Sequence, residues 1–196
     1  FIRREDGKMV VALGDVSGKG TAAALLMSSL HAAVHAQISA TSSIPHTVSS
    51  VNKYLAENTP TNRFVTLFIG ELDPETGKLI YINAGHNPPL LCRADGTITQ
   101  LDSGGLPLGL MEMAQYESGE LTLGQGDILV VYSDGVSEAT NEAEDEYGLE
   151  RLEQVIRTHR GASAAGLRDK IESSLSSFTM NAPAADDVTL LIVKRN

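Results

Sequence analysis

The stretch FVTLFIGELDPETGKLIYINA, Phe64–Ala84, decides the fold class. Both flanks are rich in β-branched, aromatic and aliphatic residues, and Pro74-Glu75-Thr76-Gly77 between them is turn chemistry. It therefore predicts a hairpin of strands over 64–73 and 78–84. Working outward, the pattern repeats. Strands over 89–93 and 97–101 flank Ala94-Asp95-Gly96, and strands over 116–123 and 127–133 are joined through Gly124-Gln125-Gly126. Upstream, the turn signal Glu5-Asp6-Gly7 leads into a β-rich run over 8–15. Leu26, Leu30, Ala33 and Val34 then share one helical face, which predicts a helix over 21–37. The Ser/Thr cluster over 39–43 breaks it, and Pro45 suits the first turn of a second helix carrying Val48, Val51 and Leu55. Downstream, Leu149, Leu152, Val155 and Ile156 mark one helix, Leu167, Ile171, Leu175 and Phe178 another, and a strand over 188–194 follows. Strands joined by hairpins, with helices in separate blocks, argue for an α+β fold of antiparallel sheets rather than a βαβ parallel sheet.

The 196 residues, 42% hydrophobic, suffice for one domain with a well-buried core. No uninterrupted apolar stretch reaches the ~18 residues of a membrane span, and no charged-then-apolar leader is visible, so neither a transmembrane helix nor a signal peptide is expected. Cys92 is the sole cysteine. It excludes an internal disulfide and a cysteine metal cluster, and suits the reducing cytoplasm, where the protein is expected to act. A formal net charge of -10 argues against nucleic acid as a partner. The same charge serves solubility, or reflects acid gathered around a metal.

Three apolar strands meet carboxylates at their ends. Val10-Val11-Ala12-Leu13-Gly14 leads to Asp15, Ile128-Leu129-Val130-Val131-Tyr132-Ser133 leads to Asp134, and Asp186-Asp187 leads into Val188–Val193. Such runs imply strands buried on both faces, with partly desolvated carboxylates at their mouths. A divalent cation is the simplest compensation, and oxygen donors without cysteine favour Mg2+ or Mn2+ over Zn2+. Taken singly, each Asp reads equally as a turn or cap residue.

The loop Gly14-Asp15-Val16-Ser17-Gly18-Lys19-Gly20-Thr21 is not a phosphate-cradling P-loop. Three residues rather than four separate its first Gly from Gly18-Lys19, and Gly20 follows Lys19 where Ser or Thr is needed. Its glycines can instead let backbone carbonyls approach a metal.

Four stretches, in this order, resemble the metal-dependent type 2C-like (PPM) protein phosphatases, in the bacterial branch typified by SpoIIE and RsbU. They are Gly14-Asp15-Val16-Ser17-Gly18-Lys19-Gly20, Asn83-Ala84-Gly85-His86-Asn87-Pro88-Pro89, Tyr132-Ser133-Asp134-Gly135-Val136-Ser137-Glu138-Ala139 and Asp186-Asp187-Val188-Thr189. The resemblance covers nearly the whole chain and implies a phosphatase domain over 1–196 with a four-layer αββα sandwich of two antiparallel sheets flanked by helices. It also implies two Mn2+ or Mg2+ ions at one end of the sandwich. Asp15 would bridge them, the carbonyl of Val16 would be a ligand, and Asp134 and Asp186 would each hold a metal. Asp187 would stand behind these ligands. The implied reaction is hydrolysis of phosphoserine or phosphothreonine by a metal-activated water, on a regulatory protein of the anti-anti-sigma kind that controls sigma factors.

The chain departs from the family pattern at Ser17, where eukaryotic relatives carry a histidine thought to act as an acid. Lys19 either helps to hold phosphate or is a solvated loop lysine, and His86 either orients a metal-bound water or belongs to a plain turn. His31 and His35 stand i, i+4 on a helix, a metal-binding spacing with no third ligand in view, so an outward helix face is expected. Phe1 opens what reads as mid-strand, so a longer protein with an upstream sensor domain is expected. In this branch a Gly-Gly-Asp-aromatic-aromatic-Asp stretch precedes the position of Phe1, and its first Asp is a metal ligand. The resemblance leaves a homodimer open. It also leaves open an alternative reading, a catalytically inactive phosphatase-fold domain that acts as a protein-binding regulator. Retention of Asp15, Asp134, Asp186 and Asp187 favours activity.

Overall fold

A computed structural model describes residues 1–40, 43–60, 62–180, 182 and 186–196, so Thr41 and Ser42 of the Ser/Thr cluster lie outside the described residues. In chain order the elements begin with β1 (Ile2–Arg3), β2 (Met9–Val16), α1 (Thr21–Ala40), α2 (Ile44–Asn58), β3 (Val65–Leu72) and β4 (Lys78–Ala84). There follow β5 (Leu90–Cys92), β6 (Ile98–Gln100), β7 (Gly104–Gly105), β8 (Gly119–Thr122) and β9 (Ile128–Tyr132). The chain ends with α3 (Asp134–Ser137), α4 (Gly148–His159), α5 (Ala164–Thr179) and β10 (Leu190–Lys194). The chain forms two compact units, residues 1–86 with 102–122 and residues 87–101 with 123–196, and each holds one sheet. This is an α+β fold with two sheets flanked by helices. Among the described residues no helix is long and apolar enough to cross a membrane.

In the first unit the sheet runs β1-β2-β3-β4-β7, with β8 also paired to β4. The β3–β4 hairpin forms as its sequence predicts, in register Leu67↔Ala84 to Leu72↔Leu79. Its turn is held by Asp73, whose carboxylate accepts from the backbone N–H of Glu75 at 2.9 Å and from the Thr76 hydroxyl at 2.8 Å. Helix α2 starts where Pro45 indicates, and its N-cap Ser43 accepts from the His46 N–H. Val10, Leu67, Ile69 and Ile82 of the sheet bury against Leu30 and Val34 of α1 and Val48, Val51 and Leu55 of α2. Each fully buried aliphatic side chain contributes roughly 1.5–3 kcal/mol, which suffices to hold two helices on one sheet face.

The sheet is not wholly antiparallel. β4 and β7 pair in parallel over Asn83↔Gly104 and Ala84↔Gly105. No run of β-forming residues announces β7. It exists because Gly104 lacks a Cβ, which would collide with the Asn83 backbone.

The second unit carries the sheet β10-β9-β5-β6, antiparallel throughout. All five residues of β9 are buried, as its apolar run predicts. Leu90, Ile128 and Val130 pack with Leu152 and Ile156 of α4 and Leu167 and Ile171 of α5. β10 departs from the expected two-sided burial: it is the sheet edge, and only Leu191 along it is fully buried. The strands on either side of Gly124-Gln125-Gly126 do not form a hairpin either. β8 pairs β4, whereas β9 pairs β5 and β10. The reason lies in Asp127, a buried carboxylate that accepts from Arg93 at 2.7 Å, Ala94 N–H at 3.0 Å and Gly124 N–H at 2.8 Å. It ties the turn to the β5–β6 hairpin.

Candidate metal and phosphate site

In the first unit, β2 carries Asp15 and Val16 at its end, in register with Thr66 and Val65 of β3. Ser17 is locked across the same strand pair. Its N–H donates to the Phe64 carbonyl at 3.0 Å and its hydroxyl accepts from the Phe64 N–H at 2.9 Å. That bonding gives Ser17 a structural task at the position where eukaryotic relatives carry a histidine. His86 is buried, and its Nδ1 shares a hydrogen bond with the Thr66 hydroxyl at 3.0 Å. Its backbone is fixed by Asn83, whose side chain accepts from the His86 N–H at 2.7 Å and donates to its carbonyl at 3.0 Å. Thr66 thus stands between His86 and the strand position of Asp15. Lys19 is exposed. His31 and His35 are both exposed on α1, with ring centroids 4.4 Å apart, the outward face the sequence predicts.

In the second unit, β9 delivers Ser133 and Asp134, and α3 turns directly off Asp134. Asp134 accepts from the Gly135 N–H at 2.7 Å, and Asp186 accepts from the Asp187 N–H at 2.9 Å. Asp134, Glu138 and Asp186 line one pocket of about 290 Å³. Two local devices hold the Asp186–Thr189 segment to the end of β9. The buried Ser133 hydroxyl donates to the Asp187 carbonyl at 3.0 Å and accepts from the Thr189 N–H at 2.9 Å. Gly135, also buried, lets the Asp187 backbone approach where any side chain would collide.

Asp134 is half-buried, but Asp15, Asp186 and Asp187 are exposed, so the expected desolvation at the strand mouths holds only at Asp134. Among the described residues no group of three or more His, Cys, Asp and Glu side chains is arranged to hold a metal ion. The donor set nevertheless fits a hard divalent cation, since it consists of carboxylates and one backbone carbonyl. Burial, then the charges of Asp134, Glu146 and Asp186, push the Glu138 carboxyl above the usual glutamate range. A negative field of that kind is what a bound cation relieves.

Sequence reasoning missed three side chains here. Ser133 and Glu138 lie inside the motif Tyr132–Ala139 but act through bonds and charges that the motif does not reveal. Arg63, just ahead of β3, donates to the Ser17 carbonyl at 3.3 Å and has no sequence signal of its own.

The family model described as Stage II sporulation protein E (SpoIIE) matches residues 5–196. Phosphoserine phosphatase RsbU of Bacillus subtilis (strain 168) is 30% identical over 195 residues, covering 94% of this chain and 55% of its own. The structure of the RsbU and RsbW domains of Rv1364c from Mycobacterium tuberculosis is similar at a TM-score of 0.80 and 28% identity, covering 96% of this chain and 52% of that one. The chain thus spans about half the length of these two relatives. The catalytic domain of the serine threonine protein phosphatase PstP, solved in complex with 2 manganese ions, shares the fold at a TM-score of 0.67 and 17% identity, covering 93% of this chain and 86% of that one. With its model matched over residues 5–196, the chain belongs to the SpoIIE family, within the PPM-type serine/threonine phosphatases.

Proposed function

We propose that this chain is a metal-dependent protein serine/threonine phosphatase domain. In this reading Asp15, the Val16 carbonyl, Asp134 and Asp186 hold two Mn2+ or Mg2+ ions. The ions, when bound, supply an activated water for attack on phosphorus. The chain's own residues do the positioning. Ser133 and Gly135 fix the Asp186 segment against the Asp134 turn. Thr66 and Asn83 fix His86 beside the strand position of Asp15, where it can orient a reacting water or the substrate. Asp187 contributes its backbone carbonyl to the Ser133 bond. The observation that carries this reading is the pocket shared by the carboxylates of Asp134, Glu138 and Asp186.

The substrate class follows from the relative named a phosphoserine phosphatase. We infer phosphoserine or phosphothreonine on a regulatory protein of the anti-anti-sigma kind, in the cytoplasm, under the control of an upstream sensor domain. The test is phosphate release from p-nitrophenyl phosphate and from a phosphoserine peptide. Turnover with Mn2+ or Mg2+ and none in chelator is expected. Turnover that persists in chelator, or only with Zn2+, sinks the reading. Mn2+ binding without turnover of either ester by this chain or by the full-length protein establishes the inactive, protein-binding alternative.

A further inference from the structure

The loop leaving β2 meets an arginine that neither the motifs nor the family match assigns. Ser17, two positions past Asp15, is bonded to Phe64 through both its backbone and its hydroxyl, so Arg63 stands beside the loop that leaves the Asp15 end of β2. Arg63 is half-buried, and its guanidinium reaches back over the loop to the Ser17 carbonyl at 3.3 Å. Gly18 makes room for it. A Cβ at Gly18 would lie 3.0 Å from Nη1 of Arg63, and the φ of +90° there already favours glycine. Among the described residues Arg63 makes no ion pair, in a chain that carries 25 acidic side chains. A guanidinium has five N–H donors. One is given to Ser17, which sets its orientation, and among the described residues no carboxylate pairs with the remainder of the fork.

A phosphomonoester arrives as a dianion at a protein whose formal charge is -10, so a cationic side chain beside the Asp15 loop, in addition to any bound metal, favours its capture. A planar guanidinium matches two phosphate oxygens at once. We propose that Arg63 is the phosphate anchor of this site: it holds the nonreacting oxygens of the substrate phosphoryl group over the Asp15–Gly20 loop. This rests on the phosphatase reading and adds the residue that recognises the phosphoryl group. The competing role is structural, with Arg63 merely tethering the Ser17 carbonyl.

Two substitutions separate these roles. Arg63→Gln keeps a donor for Ser17 and removes the charge, whereas Arg63→Lys keeps the charge and removes the fork. The measurements, on the Mn2+-loaded chain, are calorimetric affinity for inorganic phosphate and KM for p-nitrophenyl phosphate and a phosphoserine peptide. Mn2+ affinity and melting temperature serve as structural readouts. Arg63→Gln is expected to weaken phosphate binding and raise both KM values by about ten- to a hundredfold, the scale of hydrogen bonds to charged groups. Arg63→Lys should recover part of that loss, with Mn2+ affinity and melting temperature unchanged in both. Phosphate affinity in Arg63→Gln equal to the parent's overturns the anchor while leaving the phosphatase reading intact. Loss of phosphate and Mn2+ affinity together, with a lowered melting temperature, overturns it in favour of the tether. If phosphate binding follows Arg63 as expected but the parent releases phosphate from neither ester, the anchor stands and the phosphatase reading fails.

Discussion

Gly135→Ala is a small change with a large expected effect. Gly135 lies in α3, directly after Asp134, and its φ is not in the left-handed region, so alanine is conformationally allowed there. On propensity alone the change should stabilise the turn by up to about 1 kcal/mol. Packing opposes it. The new Cβ would stand 2.9 Å from the Asp187 carbonyl carbon, and the carbonyl oxygen is closer still. Reaching the ordinary carbon–carbon separation of about 3.5 Å requires the backbones to part by roughly 0.6 Å, and relieving the oxygen takes nearer 1 Å. The Asp187 carbonyl does not swing away freely, because Ser133 grips both it and the Thr189 N–H. Either the Asp186 segment or the Asp134 turn must move, so the Asp134 or the Asp186 carboxylate is displaced.

A misplacement of that size near a reacting centre costs up to about a hundredfold in rate. Gly135→Ala should therefore lower kcat/KM for a phosphoserine peptide by about ten- to a hundredfold and weaken Mn2+ binding in calorimetry, with an overpacking cost to stability of about 1–3 kcal/mol. Gly161→Ala is the control, since nothing stands within 4 Å of its Cβ position. If Gly135→Ala retained parental turnover and Mn2+ affinity, the idea that the Asp134–Asp186 spacing is set by this backbone contact would be refuted.

Asp134→Asn should reduce Mn2+ affinity and turnover by at least about a hundredfold, whereas Asp73→Asn, confined to its hairpin turn, should change turnover by no more than about twofold; similar modest losses from both would make Asp134 structural. The folded protein holds the Glu138 proton more tightly than the unfolded chain does. Its contribution to stability is therefore present below the usual glutamate range and lost as pH rises through the raised folded value, and Glu138→Gln should flatten that part of a pH–melting curve. A cation bound by Asp134 and Asp186 lowers the affinity of Glu138 for its proton, so Mn2+ binding at mildly acidic pH should release protons; heats of binding that do not depend on the buffer's ionisation enthalpy would contradict this.

Much of the fold was legible where local chemistry and long-range pairing agree. The Phe64–Ala84 hairpin is one such case, because Asp73 and Gly77 close the turn that the flanking strands require. Helix α2 is another, as Ser43 and Pro45 start it and Val48, Val51 and Leu55 bury it. The two-residue strands β1 and β7 were not legible, since two residues carry no periodicity and their partners alone define them. The division into two sheets was hidden for a similar reason. The turn at 124–127 has the local signature of a hairpin, and only the bonds from Asp127 to Arg93 and Ala94, more than thirty positions upstream, show which way the chain goes.

The site divides along the same line. Acidic residues at the ends of apolar strands were visible because their residue types carry the chemistry, and Asp134 and Asp186 do share a pocket. Their environment was not visible. Burial at a strand end depends on what covers it, and the exposure of Asp15 and Asp186 means that repulsion among desolvated charges is not what those two positions impose on the fold. A cation held at either position would consequently be a matter of binding rather than of rescuing a strained core. Removing any bound cation with chelator should lower the unfolding free energy only by the mass-action amount, about 2.7 kcal/mol at a hundred times Kd, and leave a cooperative thermal transition. An unfolded metal-free chain, of the kind structural zinc sites produce, would show instead that the carboxylates carry an uncompensated burial cost.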